Sequence, residues 1–245
     1  MPQPFLRYLA EATASALQRA ARRQDGGALW QINKLCRRGV KRNWDSLGEK
    51  AFLEEFLWVV GAIQKPIAQH ERYYPAQLRL FRGCSARSIQ RHEALIRDQW
   101  QSKRRDLNRR MLDAVLVVGC RIAAEGWETF KRSTLPLPES PESEAPEDWA
   151  ETYAALDSLP MIGDANVWFL LRNLLGAPFL KPDIHINAIA DAFFGARGDA
   201  VLALSSAVRA SWSNVCRTRR LLPVHLGVVD YILWDHRRLT GRPVG

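Results

Sequence analysis

Two short stretches of the chain carry residue types that could do chemistry. The first is Leu159-Pro160-Met161-Ile162-Gly163, a tight turn just before an apolar helix. Leu159 and Ile162 can tuck inward while the backbone turns, and Gly163 can take a conformation closed to other residues. The helix starting at Asp164 then points its unbonded first-turn N–H groups, and the positive end of its dipole, out of the turn. That geometry suits an anion such as a backbone phosphate, although an ordinary helical hairpin would use the same residues. The second stretch is Lys181-Pro182-Asp183-Ile184-His185. Pro182 precedes a helix start, and Ile184, Ile189, Ala190 and Phe193 follow at helical spacing. A carboxylate at that position is favoured in its ionised form by the helix dipole. Asp183 is therefore either a simple helix cap or a reactive group.

The elements that must position these residues are helical. Apolar residues recur every three and four positions throughout, and no segment alternates like a strand. The spacing predicts helices over 51–63, 111–130, 149–156, 164–175, 183–194 and 224–239, within an all-α protein of roughly ten helices. Gly119 and Gly126 are weak points in the second of these. The 164–175 helix is apolar nearly all round, broken only by Asn166, Arg172 and Asn173, so it belongs between other helices and its Trp168 reads as core. One clear linker, residues 133–148, holds Pro136, Pro138, Pro141 and Pro146, and its last ten residues add five acids and no bases. That composition predicts a solvated loop.

With 245 residues, the chain can bury a substantial core as one large domain or two smaller lobes. The formal net charge is +9 at pH 7, which favours a polyanionic partner, nucleic acid above all. The bases gather in clusters: Arg19, Arg22, Arg23; Arg37, Arg38, Lys41, Arg42; Lys103, Arg104, Arg105, Arg109, Arg110; Arg217, Arg219, Arg220; Arg237, Arg238. Arginine suits phosphate because its planar fork can bind two oxygens. Cys36, Cys84, Cys120 and Cys216 are scattered, without zinc or iron–sulfur spacing, a pattern that fits a reducing cytosol. No apolar run approaches the roughly 18 residues of a membrane span. The first residues, amphipathic and arginine-rich, read as a helix rather than a transit peptide.

The Leu-Pro-x-Ile-Gly turn, the apolar helix after it and Lys181-Pro182-Asp183-Ile184-His185 together resemble the helix-hairpin-helix DNA glycosylases of the endonuclease III superfamily. Residues 108–131 resemble the helix leading into that family's hairpin, 52–81 its earlier helical lobe and 228–234 a closing helix. Coverage is roughly 48–240. The resemblance implies an all-α fold of two helical lobes with a base pocket between them, formed by residues 48–245 with 1–47 as a helical extension. It implies that Asp183 is the catalytic carboxylate. Breaking an N-glycosidic bond builds positive charge on the deoxyribose, which an ionised carboxylate stabilises while it orients or activates water. The nucleotide is first flipped out of the duplex.

Ala165 stands where bifunctional relatives carry a lysine, so no Schiff base forms there and the expected product is an intact abasic strand. Met161 replaces the usual first glycine of the turn, Asp164 places a negative charge where phosphate approaches, and the four-cysteine cluster of many relatives is absent. The DNA-contacting residues expected are Leu159, Pro160, Met161, Ile162, Gly163, Asn166 and Lys181. Gln64 and Lys65 could read a base edge, with Trp58, Tyr73 and His185 as lining. The carbonyls of Asp157, Leu159 and Ile162 would hold a monovalent cation. No cofactor or iron–sulfur cluster is expected, the partner is double-stranded DNA, and the expected state is a cytoplasmic monomer at the nucleoid. The purpose is base excision repair or attack on modified foreign DNA such as a phage genome. The alternatives are a non-catalytic helix-hairpin-helix DNA-binding protein and, more remotely, a helical module whose basic face meets an acidic partner.

Overall fold

The computed structural model describes residues 3–21, 44–63, 65, 67–103, 107–141, 143–195, 199–219 and 226–241. Among them are twelve α-helices and no strand, so the chain is all-α, as the periodicity implies. The helices are α1 (Gln3–Ala21), α2 (Glu49–Ala62), α3 (Ile67–Leu80), α4 (Ala86–Arg91), α5 (Glu93–Lys103) and α6 (Arg109–Glu125). They continue as α7 (Trp127–Thr134), α8 (Ala150–Asp157), α9 (Asp164–Leu170), α10 (Ile184–Phe194), α11 (Ala200–Arg219) and α12 (Leu226–Thr240). Packing divides the chain into two units. One gathers residues 1–42, 142–144 and 171–245, and the other holds 43–141 and 145–170. In the first unit α1 shares a core with the last helices.

In the first unit, α1 buries Phe5, Leu9, Ala12 and Ala16. Steps of four, three and four keep these side chains on one helix face. They join Ile186, Ile189 and Ala190 of α10, Leu204 and Val208 of α11, and Val228, Val229, Ile232 and Leu233 of α12. Each fully buried Phe, Leu or Ile contributes about 1.5–3 kcal/mol. Phe5 meets the rings of Phe193 and Phe194 edge-on at 5.4 and 5.5 Å. The carboxylate of Asp235 is almost fully buried and takes Arg19 at 2.7 Å and Arg238 at 2.6 Å.

The second unit is built around α2 and α6. α2 buries Phe52, Leu53, Phe56, Leu57, Trp58, Val59 and Val60. The Asn108 side chain caps α6 by accepting from Met111 N at 2.9 Å. The single helix expected over 111–130 is in fact two, broken at Gly126, whose φ of 84° ends α6. Gly119 breaks nothing. It lets α4 approach α6 so closely that a Cβ there would meet Ile89 Cγ2 at 2.9 Å.

The helix expected over 164–175 also divides. α9 gives way at Leu171–Leu175 to a π-turn whose residues are all buried. Trp168 is half-buried rather than core. The acidic linker is less free than its composition suggests. Thr134 and Leu135 are buried, the Leu135 carbonyl accepts Trp44 Nε1 at 2.7 Å, and Thr152 donates to the Pro136 carbonyl. Glu144 pairs with Arg209 at 2.8 Å and accepts from Ser206 at 3.0 Å. Leu137 and residues 139–141 are exposed, as expected of the whole. No helix among the described residues is long and apolar enough to cross a membrane.

Candidate active site

Asp183 sits in the first unit as the N-cap of α10, with extended backbone at φ −93° and ψ 176°. Two features of the sequence put it there. Pro182 disfavours helix in the residue before it, and the apolar spacing after it starts the helix. The carboxylate accepts the backbone N–H groups of His185 at 2.9 Å and Ile186 at 3.0 Å, both on Oδ1. The cap therefore engages one oxygen and leaves Oδ2 outside it. Asp183 is half-buried. Burial, and then the charge of Asp230, push its carboxyl above the ordinary range, while the two cap hydrogen bonds and Lys181 oppose that shift. The Lys181 ammonium is held below the usual lysine range by its own burial, against the pull of Asp183 and Asp230. His185 turns its ring edge-on to Trp234 at 5.7 Å, and Tyr231 lies 6.0 Å from Trp234.

Two residues of this surrounding were not among the expected site residues. Asp230 of α12 accepts the Lys181 backbone N–H on Oδ1 at 3.0 Å and takes Arg172 Nη1 on Oδ2 at 2.8 Å. Arg172 lies in the π-turn and is 1% exposed; Asp230 is 6% exposed. The sequence did carry a signal for them. Each is a charge inside an apolar run, and buried charges are paired.

The turn lies in the second unit. Leu159 and Ile162 do tuck inward, at 3% and 8% exposure, and Ile162 N donates to Leu159 O at 3.2 Å. The unusual backbone belongs to Met161, at φ 67°, and not to Gly163 as expected. A methionine in this left-handed region costs about 1–2 kcal/mol. Gly163 lies outside that region, and a Cβ built on it meets nothing within 4 Å. Its carbonyl accepts from Asn166 N and Val167 N at 2.8 and 3.0 Å, which starts α9. Pro160 and Asn166 are half-buried and Asp157 is exposed. Asp164 is tied sideways: Oδ1 receives Tyr153 OH at 2.5 Å and Trp168 Nε1 at 3.1 Å. Burial and this bond to Asp164 raise the Tyr153 pKa. Of the three carbonyls expected to hold a cation, that of Leu159 already accepts Ile162 N and offers its second lone pair only.

The expected base-pocket residues are divided between the units, with Trp58, Lys65 and Tyr73 in the second and His185 in the first. Trp58 is 6% exposed and stacks edge-on with His70 at 4.4 Å and Tyr74 at 4.8 Å. Tyr73 is half-buried, with the Arg72 guanidinium 5.8 Å from its ring centre. Lys65 Nζ approaches Met111 Sδ at 3.8 Å. Gln64 lies outside the described residues. So do Arg22, Arg23, Arg37, Arg38, Lys41, Arg42, Arg104, Arg105 and Arg220, together with the side chains of Lys103, Arg217 and Arg219. Among the described arginines, Arg19 and Arg238 are engaged by Asp235, whereas Arg109 has only a 3.8 Å pairing with Asp113 and an 83% exposed side chain.

No protein-family model, curated protein or solved structure matches this chain. Its function rests on the residues themselves. Around Asp183 they offer a half-buried carboxylate with one oxygen outside the cap. In the second unit they offer a turn that leads into α9.

Proposed function

We propose that the protein is a monofunctional DNA glycosylase of the helix-hairpin-helix kind, with Asp183 as its catalytic carboxylate. The observation that carries this reading is the division of Asp183: Oδ1 caps α10, and Oδ2 is outside the cap. The carboxylate is thereby held in one orientation without being used up. Its half-burial makes an unpartnered negative charge costly, and for the same reason makes attraction to a nearby positive centre strong. A deoxyribose acquiring oxocarbenium character supplies that centre. Asp183 stabilises it and orients the water that completes hydrolysis. The turn at 159–163 and the first-turn amides of α9 would hold one phosphate backbone. With Ala165 in place of a lysine, hydrolysis ends at an abasic site. Excision would serve repair of the cell's own DNA or attack on modified foreign DNA.

The rival is a non-catalytic duplex-binding protein of the same kind. It is favoured by one observation, that Asp183 makes a complete N-cap and needs no further role to be explained.

The deciding experiment is mass spectrometry of free bases released from duplexes carrying alkylated, oxidised, deaminated or bulky modified bases, phage DNA included. The expected result is a released base, an abasic product and no borohydride-trapped adduct. Asp183→Asn should lower the rate by about 10²–10³-fold with duplex affinity retained. Salt-sensitive duplex binding with no base released from any substrate would leave the rival standing. A trapped adduct lost in Lys181→Met would move the chemistry to that amine.

A further inference from the structure

The pair of Arg172 and Asp230 is buried, and so are Leu171 and Leu174 beside Arg172 in sequence and Val229 and Leu233 beside Asp230. An ion pair in such a place is often no more stabilising than apolar residues of the same size, so its presence points to a task beyond holding the fold. The task visible in the geometry is local to Asp183. Asp230 Oδ1 holds the Lys181 N–H at 3.0 Å. Lys181 O in turn accepts Asp183 N at 2.8 Å, and Pro182, between them, has its φ fixed by its ring. Holding Lys181 therefore holds the backbone that delivers Asp183 to the head of α10. Arg172 keeps Asp230 in place through Oδ2 at 2.8 Å, and its own Nε donates to Asn173 Oδ1 at 3.1 Å.

We propose that Asp230 and Arg172 are positioning residues for Asp183: the pair anchors Lys181-Pro182-Asp183 and sets the charge that Asp183 faces. This rests on the glycosidase reading above. The charges that act on Asp183 are those of Asp230 on α12 and of Lys181, and Arg172 on the π-turn acts on Lys181 in turn. From α11 comes the Ser205 hydroxyl, which accepts Leu180 N at 3.0 Å. Asp230 is thus the carboxylate that disfavours ionisation of Asp183, after burial itself.

Asp230→Asn is the informative change. It keeps an oxygen for the Lys181 N–H and removes one negative charge. Asp183 then ionises at lower pH, and activity that needs the ionised form extends to lower pH. The measurements are a carboxyl NMR titration of Asp183, assigned through Asp183→Asn, and the pH profile of single-turnover excision. In Asp230→Asn the Asp183 signal should titrate at lower pH than in wild type, and the ratio of the pH 5 rate to the pH 7.5 rate, set on a scale of about one unit per tenfold, should rise. A folded Asp230→Asn protein with an unchanged Asp183 titration and an unchanged acid limb would overturn the assignment. A shifted titration in a protein that releases no base would leave the coupling intact and remove the glycosidase reading instead. If Asp230→Asn does not fold, Arg172→Lys keeps the charge and loses the fork. Its excision rate at saturating enzyme should fall by about 10- to 100-fold with duplex affinity unchanged, and a wild-type rate would overturn the proposal.

Discussion

The turn at 158–163 and the segment entering α10 meet opposite demands. The turn is made almost wholly of its own neighbours. Leu159 N bonds to Leu156 O, Ile162 N to Leu159 O, and Asp164 ties back to Tyr153 and Trp168. It carries its cost locally, in the left-handed backbone of Met161. The segment before α10 depends on partners far along the chain: Ser205 for Leu180 and Asp230 for Lys181, 25 and 49 positions away. It carries its cost as buried charge. A turn can be built from adjacent residues, whereas a half-buried carboxylate needs partners that only the surrounding fold can supply.

Replacing Asp230 by Ala should give the largest effect of those that probe this contrast. It leaves the Arg172 guanidinium without its carboxylate and Lys181 N without its acceptor, and should cost about 3–5 kcal/mol in denaturant unfolding. A loss below 1 kcal/mol would mean that the segment, like the turn, holds itself. Met161→Gly should act in the other direction and more weakly. It relieves the left-handed methionine and gains about 0.5–1 kcal/mol, after allowance for the freer unfolded chain. A destabilised variant would show that the Met161 side chain, not the backbone angle, is what the turn needs. Gly163→Ala should be the smallest in stability, within about 0.5 kcal/mol, since its Cβ meets nothing within 4 Å. That silence makes it a clean probe of contact with DNA. If the turn approaches a phosphate at Gly163, duplex affinity falls in a protein of unchanged stability. Unchanged affinity and salt slope would assign the contacts to arginines such as Arg109.

The same contrast decides what the sequence disclosed. Inward Leu159 and Ile162, the helix start after Pro182 and the N-terminal position of Asp183 all follow from spacing within a few residues. The left-handed residue was misassigned because glycine permits that conformation without requiring it. The substitution of Met161 at a glycine position was visible, but its strain was not. Arg172 was visible as an interruption of an apolar helix, and Asp230 sat unremarked within Val228-Val229-Asp230. Pairing one buried cation with one buried anion across 58 positions needs the fold, although the rule that such charges must pair was available. The acidic linker failed for a similar reason. Composition described its middle, while its ends were decided by Trp44, Thr152 and Arg209.

The interleaving of the two units has a consequence for synthesis. Arg19 and Asp235 are bonded across 216 positions, and the stripe of Phe5, Leu9, Ala12 and Ala16 is covered by helices made at the other end of the chain. At about 5–20 residues per second, α1 would leave the ribosome roughly 10–40 s before α12. Residues 43–141 and 145–170, by contrast, are all made before α10 is translated. A premature stop before α10 would remove every helix that covers that stripe while sparing every residue of the 158–163 turn.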